Sequence, residues 1–142
     1  MNNWDLVDTS APYIVGEHLV SHPRDILYRL AKSTNIWERR IAIVATMAFI
    51  RRGDLKDTFR VSALLLGDEH DLIQKAMGWM LREAGKRSAP ALLDFLRQNY
   101  SSISRTALRY AIERFPEPGA NVFSQAFLVR LLAPIRNPFS GK

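Results

Sequence analysis

Apolar residues recur along the chain at spacings of three and four and seldom at two, the period of a helix rather than of a strand. The pattern predicts helices near residues 4–8, 12–21, 24–33, 36–52, 56–66, 70–86, 89–99, 103–115 and 120–133, with essentially no strands. Pro12, Pro23 and Pro90 suit first-turn positions, where a missing N–H costs little. Asn35 is placed to cap the helix that follows it, and Gly53, Gly67 and Gly85 read as C-terminal stops. The expected fold class is all-α.

Three of the longer helices align on basic residues: Arg40-Ile41-Ala42-Ile43, Lys75-Ala76-Met77-Gly78 and Arg105-Thr106-Ala107-Leu108, spaced by 35 and 30 residues. A period of that length, filled by two helices each time, is that of a HEAT-like helical-repeat solenoid, an α-α superhelix in which one helix of each pair lines a concave surface. An irregular helical bundle is the competing arrangement. The repeat domain is expected over residues 1–115. Pro-Glu-Pro-Gly at 116–119 then interrupts the pattern before an apolar helix containing Val122, Phe123, Phe127 and Leu131. Residues 116–142 therefore read as a capping helix followed by a tail.

Composition narrows the function classes. The 142 residues hold 20 Lys and Arg against 14 Asp and Glu, a formal charge of +6 that favours a polyanionic partner. The absence of cysteine removes disulfides and thiolate metal sites and fits a reducing, cytoplasmic location. Nothing at the N-terminus reads as an export signal, and the longest apolar run, Ile41 to Ile50, is too short to span a bilayer, so no membrane association is expected.

Candidate chemistry concentrates in a few side chains. In a helix, Trp4 and Asp8 stand four apart and share one face. A carboxylate there can stabilise the oxocarbenium character that a sugar acquires when its N-glycosidic bond breaks, or orient the attacking water. Asp8 as a plain cap of the helix at Pro12 is the alternative. Trp4 and Trp79 offer stacking surfaces for a sugar or a cationic base, whereas Trp37 is assigned to packing. Arg39, Arg40, Lys75, Arg105 and Arg109 fall at or near the starts of successive inner helices, where stacked repeats would align them as a ladder for phosphates; a merely solvated helix face is the other reading. His18 and His22 are four apart, but no third ligand is evident and no metal site is expected.

Three blocks carry a resemblance: Trp4-Asp5-Leu6-Val7-Asp8 with the following Pro12 and Gly16, Asn35-Ile36-Trp37-Glu38-Arg39-Arg40, and Ile73-Gln74-Lys75-Ala76-Met77-Gly78-Trp79-Met80-Leu81-Arg82-Glu83. A weaker fourth is Arg105-Thr106-Ala107-Leu108-Arg109-Tyr110. In this order, over roughly residues 3–115, the chain resembles the AlkD-like DNA alkylation repair glycosylases, built from HEAT-like repeats. The resemblance implies hydrolytic excision of cationic N-alkylated purines, such as N7-alkylguanine or N3-alkyladenine, from double-stranded DNA, without metal or organic cofactor and without extruding the base. It makes Trp4, Asp8 and Trp79 the active-site trio and Arg40 a DNA contact. In the family the Trp-Asp block lies near mid-chain, after several N-terminal helices; here it begins the sequence. The resemblance thus places the chain on the C-terminal portion of that scaffold. It leads us to expect impaired activity for want of the N-terminal repeats, and apolar surface around Leu6, Ile14 and Val15 that a homodimer would cover. The rival expectation is a non-catalytic helical-repeat module that binds DNA or protein.

Overall fold

The computed structural model describes residues 10–112, all of whose regular elements are helical. A π-helical segment, Ala11–Gly16, runs into α1 (Glu17–Val20); there follow α2 (Asp25–Ala31), α3 (Ile36–Val44), α4 (Met47–Ile50), α5 (Lys56–Leu65), α6 (Asp71–Arg87), α7 (Ala89–Asn99) and α8 (Arg105–Ile112). The helices expected at 4–8 and 120–133, with Trp4, Asp8 and the C-terminal tail, lie outside the described residues. Helix α6 is central, packing against α3, α4, α5, α7 and α8. Helices α3, α6 and α8 follow one another as one layer. Helices α2 and α5 form a second, joined to α7 by the stacked rings of Phe59 and Phe95 at 5.3 Å. Leu27, Ile43, Phe49, Met77, Leu81 and Leu96 are fully buried between the layers, each contributing about 1.5–3 kcal/mol before chain entropy is subtracted.

The helices of the first layer begin on side-chain caps. Asn35 Oδ1 accepts from the backbone N–H of Trp37 (2.8 Å) and Glu38 (3.3 Å), as its position predicts. His70 Nδ1 accepts from Leu72 N–H at 3.2 Å, and Ser104 Oγ from Ala107 N–H at 3.0 Å. Polar contacts at these starts hold successive helices in register. Arg40 of α3 donates to the Leu72 carbonyl at 2.6 Å. Buried Gln74 of α6 donates to the carbonyls of Leu65 and Asp68 and accepts from the Ser104 hydroxyl at 2.8 Å. A buried amide satisfied on both ends fixes one alignment of α5, α6 and α8, because any slip would strand it.

The stops follow expectation in part. Gly53 takes the left-handed conformation (φ +81°), with Gly53 N–H on Ile50 O and Asp54 N–H on Phe49 O, the paired bonds of a Schellman turn. Gly67 lies beyond the end of α5 without a positive φ. Gly85 does not stop a helix: it is buried within α6, which continues to Arg87. The stop comes instead from Ser88, whose extended backbone ends α6 and whose hydroxyl caps α7 by accepting from Ala91 N–H, with Pro90 in the first turn as predicted. Pro23 lies just ahead of α2 rather than in its first turn.

The single helix expected over 36–52 is interrupted at Ala45 and Thr46. Thr46 turns both its N–H (3.2 Å) and its hydroxyl (2.6 Å) onto the Ile43 carbonyl, a local competition that tightens the turn. Gly16 presses against this break. A Cβ there would meet Ala45 O at 2.5 Å and the Ala48 Cβ at 2.8 Å, so only glycine lets the N-terminal segment approach.

One further clamp joins the α1–α2 turn to the α4–α5 turn. Arg24 pairs with Asp54 (2.8 Å) and Asp57 (2.5 Å), bonds the Leu19 and Val20 carbonyls, and lies 3.9 Å over the Phe49 ring. Tyr28 donates to Asp57 from α2. Burial, with the hydrogen bond to Asp57, pushes the Tyr28 hydroxyl up to about 12, while the hydrogen bond from Arg24 holds Asp54 below the usual carboxylate range.

Candidate nucleic-acid interface

Lys75, Trp79 and Arg82 stand at i, i+4 and i+7 on α6 and therefore share one face of the central helix. They open onto a cleft of about 330 Å³, completed by Arg40 from α3 and Tyr110 from α8. Two close approaches shape it. The Arg40 to Leu72 carbonyl bond brings the α3 guanidinium to the start of α6. Gly78 lets α8 settle against α6: a Cβ at 78 would meet Tyr110 Cβ at 2.5 Å and Ala107 O at 2.7 Å.

Among the described residues, three cations and no acid line the cleft. Arg40 is 7% exposed, held by the fold with only an edge of its guanidinium available. Lys75 is half-exposed and paired with Asp71 at 3.1 Å, and Arg82 lies 4.0 Å from Glu83. Both carboxylates sit outside the lining. Trp79 is partly buried against the core, with the rest of its indole on the cleft. A partly exposed aromatic face among cations suits a polyanion that also offers sugar or base surface.

Of the residues singled out from sequence, the structure brings Trp79, Arg40 and Lys75 together. Arg39, next to Arg40, points elsewhere: its Nε pairs with Asp68 at 2.6 Å and its Nη1 donates to Ser33 O at 3.1 Å, beside a separate depression that includes Leu64 and His70. Arg105 and Arg109 are exposed on α8 and are not part of the cleft lining. Arg82 and Tyr110 are the lining residues that sequence reading passed over. Arg82 carried a signal, its seven-residue spacing from Lys75. Tyr110 carried none beyond the small residue at 78 that admits it. His22 Nδ1 hydrogen-bonds the His18 carbonyl at 2.7 Å and the two rings stack at 4.2 Å. No group of three metal-ligating side chains occurs among the described residues, and no helix there is long and apolar enough to cross a membrane.

A comparison with curated proteins gives no match. The family model described as DNA alkylation repair enzyme matches residues 1–115 and so covers every residue of the cleft as well as Trp4 and Asp8. The chain belongs to the DNA alkylation repair enzyme family.

Proposed function

We propose that the protein is a DNA N-glycosylase that releases cationic N-alkylated purines, N7-alkylguanine or N3-alkyladenine, from double-stranded DNA. The observation that carries this reading is the partly buried Trp79 indole set among Arg40, Lys75 and Arg82 in a chain of this family. An alkylated purine already bears positive charge and leaves readily, so the protein's task is to stabilise the sugar cation and admit water. Asp8 is assigned that role, stabilising the oxocarbenium ion or positioning water. Trp4 and Trp79 contact the sugar and backbone of the lesion. Arg40 and Lys75 hold phosphates beside it, with Arg105 and Arg109 on the exposed face of α8 as outlying phosphate contacts. Arg39 joins this set only if its pairing with Asp68 leaves donors for a phosphate. No metal or organic cofactor takes part in this scheme.

Apolar surface near Gly16 supports the association expected from sequence: Ile14 is 68% exposed. A homodimer through that edge is part of the proposal, and sedimentation of the protein against Ile14→Asp tests it.

Single-turnover release of N7-methylguanine from a defined duplex tests the reading, comparing wild type with Trp79→Ala. Loss of one stacking surface is expected to slow release by about 1–3 kcal/mol, roughly five- to 150-fold. Salt-dependent binding without release by the wild-type chain would favour a non-catalytic DNA-binding module instead.

A further inference from the structure

The basic stripe of α6 does not end at the cleft. Lys86 continues it, four residues beyond Arg82, and Arg87 follows at the C-terminal turn. There α6 meets the end of α4. Arg87 donates through Nη2 to the backbone carbonyl of Arg51, and the Arg51 guanidinium lies 5.2 Å over the Tyr13 ring. Arg51, Arg52, Lys86 and Arg87 are all exposed. Among the described residues two carboxylates accompany them: Glu17 is taken by Arg52 at 3.0 Å and Glu83 by Lys86 at 3.2 Å. Among the described residues, Arg51 and Arg87 are left as the excess charge. Both are held in place, one over an aromatic ring and the other on a carbonyl, and Arg87 spends one of its five donors doing so.

We infer that Arg51 and Arg87 form a second phosphate-binding patch, which grips the strand opposite the one whose nucleotide faces Trp79. Arg87 lies eight residues along α6 from Trp79, about 12 Å in axial rise at ~1.5 Å per residue and about eighty degrees around the helix, towards the end of α4. The grooves of a duplex are about 6 and 12 Å wide, so a separation of this size bridges one groove from backbone to backbone. This inference rests on the reading that the Trp79 cleft faces DNA, but not on excision. It adds a duplex requirement that the cleft alone does not impose.

The test measures binding of the full chain to an undamaged duplex, and to one of its single strands, across a salt series. Removing a cation from one phosphate lowers the salt slope of duplex binding by about 0.9. Arg51→Ala with Arg87→Ala should therefore bind duplex more weakly with a slope shallower by about 2, while its single-strand binding matches wild type. Because Arg87 also bonds Arg51 O, the charge-preserving pair Arg51→Lys with Arg87→Lys serves as control and should recover the slope. Unchanged duplex affinity and slope in the alanine pair would overturn the patch. So would an equal loss on duplex and single strand, or a slope the lysine pair does not recover. N7-methylguanine release from the same samples keeps the two readings apart: no release by wild type, with the duplex defect present, contradicts the glycosylase and leaves the patch standing.

Discussion

Gly78 and Tyr110 stand so close across the α6–α8 contact that a single added carbon at residue 78 would lie 2.5 Å from the tyrosine Cβ. The cleft beside Trp79 therefore depends on a missing side chain. Gly78→Ala is expected to destabilise the fold by about 1–3 kcal/mol through overpacking, although alanine is the better helix former. Denaturant unfolding reads this directly. A neutral or stabilising result would mean that α8 moves away at no cost, and the wall formed by Tyr110 would then not be fixed.

Arg40 has two tasks, since its guanidinium bonds the Leu72 carbonyl and also edges the cleft. Arg40→Ala should lower stability by about 1–3 kcal/mol, the range for losing a charge-assisted hydrogen bond. It should also weaken binding to damaged and undamaged duplex alike. Titrating both duplexes with one protein sample, at verified folding, checks this; a defect confined to the lesion duplex would count against a phosphate contact.

Arg39 offers a contrast. Its ion pair with Asp68, whose side chain is only 7% exposed, ties α3 to the α5–α6 turn. Arg39→Ala should cost about 1–3 kcal/mol of stability, because Asp68 loses its charged partner and keeps only the His70 N–H on Oδ1. The salt slope of DNA binding decides its second role: a drop of about 1 assigns it a phosphate as well, and no change confines it to the clamp.

The Tyr28 and Asp54 shifts make stability depend on pH at both extremes. The Tyr28 hydroxyl is raised to about 12 from an ordinary value of 10.0. Its contribution is therefore complete below pH 10 and is lost as pH rises from about 10 to 12, where the unfolded chain has released a proton that the folded one keeps. Tyr28→Phe should flatten that alkaline decline. Asp54 is held below its ordinary value of 3.8 by Arg24, so its contribution is present above that value and fades as pH falls through the folded one. Arg24→Gln should thus destabilise the protein most at neutral pH and progressively less in acid. Thermal unfolding across pH tests both, and parallel curves for wild type and variants would contradict them.

Helix positions were legible where one residue carries a local mechanism. The Asn35 cap, the Gly53 turn and Pro90 in a first turn are each read from short-range chemistry, and each occurs as read. What depends on a neighbour was not. Gly85 resembles a stop, yet it is buried in α6 and Ser88 supplies the stop. Thr46 lies within a strong helical period and still breaks the helix, beside a close approach by the distant Gly16. The same division runs through the site. Lys75 and Trp79 share a face by spacing alone, while Arg39 and Arg40, adjacent in sequence, diverge by about a hundred degrees around α3 and reach different partners. Tyr110 enters the cleft only through the α6–α8 packing.

The central claim is that Asp8 carries the chemistry. Single-turnover release of N7-methylguanine from a defined duplex by wild type and Asp8→Asn, at equal and verified folding, tests it most directly. The substitution is nearly isosteric and removes the charge that would face the sugar cation. The account predicts release by the wild-type chain and a loss of at least about a hundredfold in the variant, in line with removing one electrostatic stabiliser of a transition state. Equal release by the two proteins would contradict it.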